Sequence, residues 1–164
     1  MTRKLLLTFC TWLIALAAWA THNRAGEIIY EHISGFTYKV TINTITKASS
    51  FAADRPYLKI RWGDEPSGTS ENQLDSLERS SEVILGSGDA KRNQYIGYHT
   101  YAGPGVYYLV MEDPNRNEGV INILNSVNQV FTIQTMLVIS PTTGHNNSVQ
   151  LLKMPIEDAC LNQP

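Results

Sequence analysis

Residues 98–119 read YHTYAGPGVYYLVMEDPNRNEG. A His-Thr-Tyr run leads into Gly103-Pro104-Gly105, then an aromatic strand-like segment, then Asp113-Pro114-Asn115. Proline presets φ at one turn position, and glycine accepts the positive φ that other residues resist. The stretch therefore predicts a strand, a tight corner, a second strand and a second turn. In GVYYLVMED apolar residues fall at both parities, the pattern of a central strand covered on both faces.

Other segments carry the two-residue period of strands. In FTYKVTINTITKA, Phe36, Tyr38, Val40 and Ile42 alternate with Thr37, Lys39, Thr41 and Asn43, giving one dry and one wet face. The phase slips at Ile45, which predicts a bulge near Asn43 or Thr44. YLKIRW places Leu58, Ile60 and Trp62 on one face, and QVFTIQTMLVI does the same with Phe131, Ile133, Leu137 and Ile139. Helical spacing is scarce, and short strands broken by Gly, Pro, Asn and Ser argue for an all-β sandwich or barrel. Two long connections are expected. One runs from about Gly63 to Ser81 with a helical turn near Leu74–Leu77, and the other spans DPNRNEGVINILNSVN.

The first 20 residues belong to a different category. Arg3 and Lys4 precede an apolar run ending in Ala18-Trp19-Ala20, the arrangement of a secretory signal peptide cleaved before Thr21. The run is short for a membrane span and contains Thr8 and Thr11. Export to the cell surface or medium is expected, or to the periplasm if no further sorting signal acts. No membrane span is expected after cleavage. The whole chain has 13 Lys and Arg against 15 Asp and Glu; without Arg3 and Lys4 the formal charge is −4. With no basic run, phosphate-driven nucleic-acid binding is not expected. Cys160 is the one cysteine after residue 20, so no internal disulfide can form there.

Trp62-Gly63-Asp64 closing one strand, and His99-Thr100-Tyr101 followed by Pro104-Gly105-Val106-Tyr107 opening another, resemble a PKD-type domain. A narrower resemblance runs through ATHNRAGEI, TKASSFAADRPYLKIRWGD, HTYAGPGVYYLVMEDPNRN and IEDAC. These are similar to the N-terminal module of large secreted surface proteins of Bacteroidota, the gliding-motility-associated proteins with a C-terminal sorting domain. The resemblance implies an Ig-like antiparallel β-sandwich over residues 21–155, with 156–164 the start of an interdomain linker or a truncated tail. It also implies a non-catalytic role as spacer or adhesion domain, possible further domains in a longer polypeptide, and a protein or glycan partner at the cell surface. The turn departs from the family pattern, with Glu65 where a glycine is preferred after the aspartate.

On this reading Trp62, Gly63, Asp64, His99, Tyr101, Pro104, Gly105 and Tyr107 are structural. Tyr107 is placed like a tyrosine corner, and Trp62 is the wedge between sheets. An enzyme would need a nucleophile, a base and an orienting acid. His99, Asp64 and Ser80 or Ser81 supply the types, but no elbow or zinc-helix motif selects them. No cofactor is expected. Asp113, Asn115 and Asn117 offer calcium-type oxygens, yet Pro114 and Arg116 interrupt them and such residues commonly bond their own turn backbone. The alternative is thus a calcium-dependent or carbohydrate-binding module accessory to a secreted hydrolase. For such a module, Tyr57, Tyr95, Tyr98 and Tyr108 would form an outward aromatic strip, although tyrosine also favours half-buried strand faces.

Overall fold

The computed structural model describes residues 23–50, 54–86, 89–114, 116–142 and 144–148. Residues 1–20, expected to be a signal peptide, lie outside the described residues, as do Asn115, Cys160 and the rest of 156–164. Among the described residues seven antiparallel strands make the fold: β1 (Asn23–Ser34), β2 (Thr37–Thr46), β3 (Tyr57–Ile60), β4 (Asp75–Leu85), β5 (Ala90–Thr100), β6 (Gly105–Asp113) and β7 (Phe131–Ile139). The chain is all-β and sandwich-like, as its alternation predicted.

Five strands are hydrogen-bonded in the order β1-β2-β5-β4-β3, and β6 pairs with β7. Strand β4 is shared between the layers. Its first half pairs with β3 (Leu58↔Leu77), while its second half pairs with β5 (Glu82↔Asn93) across a register shift between Arg79 and Ser81. Strand β3 in turn meets β6 through a reciprocal Arg61–Val110 pair at 2.9 and 3.0 Å. One layer is therefore β1-β2-β5-β4 and the other β3-β6-β7.

Between them lies one core. Tyr38, Val40, Ile42 and Tyr95 from the first layer pack with Ile60, Trp62, Leu109, Met111, Leu137 and Ile139 from the second. The dry faces expected for β2, β3 and β7 are the ones that face this core.

Three expectations need correcting. Strand β2 pairs with β5 without a break, so no bulge interrupts Asn43–Thr44. The extra residue is Arg24 in β1, opposite Ile45 and Thr46. Ile45 breaks phase because it is buried on the outer face, where Thr41 and Asn43 are buried too. The Gly63–Ser81 loop is shorter than expected because β4 starts at Asp75, and its helical turn is a 3₁₀ turn at Glu71–Gln73. There the Gln73 side chain accepts from the Ser70 amide at 3.0 Å. Finally, β6 is covered on one face only: Leu109 and Met111 are buried, whereas Val106 and Tyr108 are exposed on the other.

Candidate functional site

The residues singled out in the sequence converge at one end of the sandwich, where β3, β5 and β6 turn. Trp62 follows β3 and is buried, with its ring stacked on His99 at a 4.7 Å centroid separation and 9° between planes. His99 Nε2 lies 2.8 Å from Asp64 Oδ2. Tyr101 stands edge-on to His99 at 4.6 Å and stacks with Tyr107 at 4.0 Å. Its hydroxyl donates to the Trp62 carbonyl at 3.0 Å. Tyr107 donates to the Gly103 carbonyl at 2.8 Å, the back-bond of a tyrosine corner.

Glycines make the approach possible. Gly63 has φ +90°, and a Cβ there would stand 2.6 Å from the Tyr108 amide nitrogen. Gly103 and Gly105 do not use positive φ, contrary to the turn expectation. A Cβ at Gly105 would instead stand 3.0 Å from the tip of the Tyr107 ring, a tight contact.

Three residues of this cluster were not anticipated. Glu65 accepts the Gly63 amide at 3.0 Å and also takes the Trp62 amide. The Glu65 carboxylate thus ties the turn's own N–H groups. Asp75 accepts the Trp62 indole N–H at 2.7 Å. Gly97 clears space for Trp62, since a Cβ there would lie 3.0 Å from the indole Cη2 and 2.7 Å from Leu77 Cδ2. The sequence signal for Gly97 is a glycine inside a strand, which marks a close approach.

Burial first, and then the nearby Asp64 and Glu65 charges, push the Tyr101 hydroxyl well above its ordinary range. It therefore stays protonated and donating. Ser80, one of the hypothetical nucleophiles, donates to the Gln94 carbonyl at 3.0 Å in the β4–β5 ladder, on a different part of the sheet from the His99–Asp64 pair.

A second polar group sits between the layers at the opposite end. Lys91, almost fully buried, donates to Asp54 at 2.7 Å and reaches Glu82 at 3.4 Å. Arg79 also pairs with Asp54 and, at 3.2 Å, with Glu82. Bonds from Arg79 and then Lys91 hold the Asp54 carboxyl below its usual value. Tyr95, which the carbohydrate-binding alternative would turn outward, is buried: its hydroxyl donates to the Arg55 carbonyl at 2.6 Å, and burial pushes its pKa up to about 12.

Of the calcium candidates, Asp113 is buried and paired with Arg55 at 2.9 Å. The Asn117 backbone N–H donates to the Asn23 backbone carbonyl at 3.1 Å. Among the described residues, no group of three or more His, Cys, Asp or Glu side chains is arranged to hold a metal. The exposed tyrosines do not form one strip, because Tyr57 and Tyr108 lie on the outer face of the second layer and Tyr98 on that of the first.

Fold and site thus define an all-β, sandwich-like chain whose chemistry-bearing residues close a corner. Comparison with protein-family models, with curated proteins and with solved structures gave no match.

Proposed function

We propose that the chain is a non-catalytic, exported module with an Ig-like sandwich of PKD type, serving as a spacer or adhesion domain at the cell surface. The carrying observation is that His99, Asp64, Trp62, Tyr101 and Tyr107 spend polar atoms and ring faces on one another, on Asp75 and on the Gly103 carbonyl. A histidine sandwiched between an indole and a carboxylate positions a corner. The layer orders β1-β2-β5-β4 and β3-β6-β7 support the finer reading, since seven-stranded Ig constant-type domains have that arrangement. A stiff sandwich of this kind presents its loops and outer faces to a protein or glycan partner.

The test is a blot of cytosolic, periplasmic, surface and medium fractions of the source cells, with an antibody raised against residues 21–164. Signal in the exported fractions is expected. A band much larger than this chain would make it the leading module of a long surface protein, and a band at its own size a freestanding one. Signal confined to the cytosol overturns the surface role. Hydrolysis of ester or peptide substrates that disappears in His99→Ala overturns the non-catalytic role.

A further inference from the structure

Strand β1 is the edge of its layer, and the chain after β7 comes back to lie along it. His145 stacks on His32, with ring centroids 3.7 Å apart and 6° between planes. The Asn147 side-chain oxygen accepts the His32 N–H at 2.7 Å. Ser148 accepts the Tyr30 N–H on its hydroxyl at 2.7 Å and donates its own N–H to the Tyr30 carbonyl at 3.0 Å. These contacts step from His32 to Tyr30 as the returning segment advances, so it runs antiparallel to β1. At the far end of β1, the Asn117 N–H holds the Asn23 carbonyl at 3.1 Å. The register with β2 is unbroken from Ala25 to His32. Backbone groups alternate in direction along a paired strand, so Gly26 and Ile28 turn theirs to the same side as Tyr30. Among the described residues, no hydrogen bond reaches those outward groups.

We infer that this stretch of edge is the docking site of residues 149–154 of the same chain, VQLLKM, which add an eighth strand to β1. Ser148 lies opposite Tyr30, so the antiparallel register puts Gln150 opposite Ile28 and Leu152 opposite Gly26. Those two residues offer their N–H and C=O groups to the outward groups of β1. Six residues at about 3.4 Å each reach about 20 Å, the length of strand from Tyr30 down to Arg24. The segment therefore fills the gap without displacing the turn at Asn117. Pairing stops there on both sides: Arg24 is the extra residue of the β1 bulge, and Pro155 has no N–H to give. With Ser148 already seated, the next residues arrive at an effective concentration on the order of millimolar, which a strand from another molecule would have to beat.

Side-chain chemistry agrees with that register, because residues opposite one another share a face. Leu152 falls on the core side beside Gly26, where an added Cβ would lie 3.2 Å from Ile133 Cδ1 and 3.4 Å from Phe131 Cζ. Val149 joins Ile29 on the outer face, at a groove that Ile29, Lys39, Thr41 and Ser148 line. Lys153 stands one diagonal step from Glu27 on that same face, within reach of a long side chain. Glu27 accepts the Asn43 amide at 2.8 Å on one carboxylate oxygen, while its other oxygen is buried with no hydrogen-bond partner. The Lys153 ammonium supplies that donor. An uncovered edge is a template for pairing with other chains, so the added strand keeps copies of the module apart. It also brings the chain out beside Arg24, at the end opposite the Trp62–His99 corner, and leaves the corner loops free to meet a partner.

The experiment is amide hydrogen exchange, followed by NMR, on the chain from Thr21 onward. The Gly26 and Ile28 N–H groups should be protected. Ending the chain after Ser148, which keeps every described strand, should speed their exchange by about tenfold or more, while Val40 in the middle of the layer stays unchanged. Two proline variants read the register. Leu152→Pro removes the N–H that faces Gly26 and should release both amides. Leu151→Pro removes one that points away from β1 and should leave them protected. Fast exchange at Gly26 and Ile28 in the longer chain overturns the inference, as does protection that survives the truncation. Equal effects of the two prolines overturn the register. Protection that grows with protein concentration assigns the edge to a second copy's strand and overturns the inference as well. The blot of cell fractions is independent of all these outcomes.

Discussion

Gly63→Ala isolates the cost of the corner. Two terms add at that position. The first is backbone strain: φ is +90°, where an L side chain is strained by roughly 1–2 kcal/mol. The second is contact: the new methyl would stand 2.6 Å from the Tyr108 nitrogen and 2.9 Å from its carbonyl oxygen. Both are backbone atoms of β6, and the strand is anchored beside them by the reciprocal Arg61–Val110 bonds. Neither can rotate out of the way as a side-chain end would. Overpacking of this sort costs about 1–3 kcal/mol, so the total should be about 3–4 kcal/mol. Gly68→Ala is the matched control, with nearly the same φ of +86° and nothing within 4 Å of its added Cβ. It should cost only the strain, about 1 kcal/mol. Urea unfolding of the two variants beside wild type, followed by tryptophan fluorescence, reads the difference. With a slope near 2 kcal/mol per molar, Gly63→Ala should shift the midpoint by roughly 1.5 M and Gly68→Ala by about 0.5 M. Equal shifts would refute the close-approach argument and leave Gly63 as an ordinary turn glycine.

Tyr101→Phe should destabilise by about 1–2 kcal/mol because it leaves the buried Trp62 carbonyl without its donor. Tyr107→Phe, whose partly buried hydroxyl can be replaced by water, should cost about 1 kcal/mol or less; paired chemical denaturation curves would show the order reversed if the corner were fixed mainly by Tyr107. The Asp54 pair contributes stability above the ordinary carboxylate pKa and loses it as pH falls through the depressed folded value. Midpoints measured between pH 6 and pH 2 should therefore drop less steeply for Asp54→Asn, from a lower starting stability, and parallel curves would count against the assignment. Tyr95 acts in the opposite sense, because its folded value is raised to about 12. Its contribution is complete below pH 10 and fades toward pH 12, so Tyr95→Phe should flatten the alkaline limb of the stability profile. Ile121→Asn with Leu124→Asn, at positions 89% and 91% exposed, should move the thermal midpoint by less than about 2 °C.

What the sequence displayed plainly were strands with one apolar and one polar face. Strands β2, β3 and β7 each turn every second side chain toward the core, although β2 is buried on its outer face too from Thr41 onward, and each was readable from that period. Strand β4 was not, for a physical reason. Its inward positions in the first half are Leu77 and Arg79, and Arg79 is satisfied by Asp54 and the exposed Glu82 rather than by hydrocarbon. A register shift at Ser80 then flips the phase midway. Charged residues that neutralise one another at the margin of a sandwich look like a solvated loop until their partners, some 10 to 40 positions away, are placed beside them. Strand β6 failed in the opposite direction, with its outer apolar residues read as evidence of a covered face.

The corner shows where motif reading stops and geometry begins. Trp62, Asp64, His99, Tyr101 and Tyr107 could be named as a group from residue types in a familiar order. Their contacts could not, because the stack of Trp62 on His99 depends on Gly97, and the indole depends on Asp75. Gly97 lies two positions before His99 but outside the motif, and Asp75 stands 13 positions after Trp62. Glu65 carries the point further. By residue type it is a departure from a glycine turn, yet its carboxylate gathers the amides of Trp62 and Gly63 and leaves Asp64 for His99. One acidic residue serves the turn backbone and the next serves the imidazole. Exchanging Glu65 for glycine would therefore loosen the anchor of Trp62 while preserving the His99–Asp64 pair, a distinction that ring-proton spectra of Trp62 and His99 would resolve.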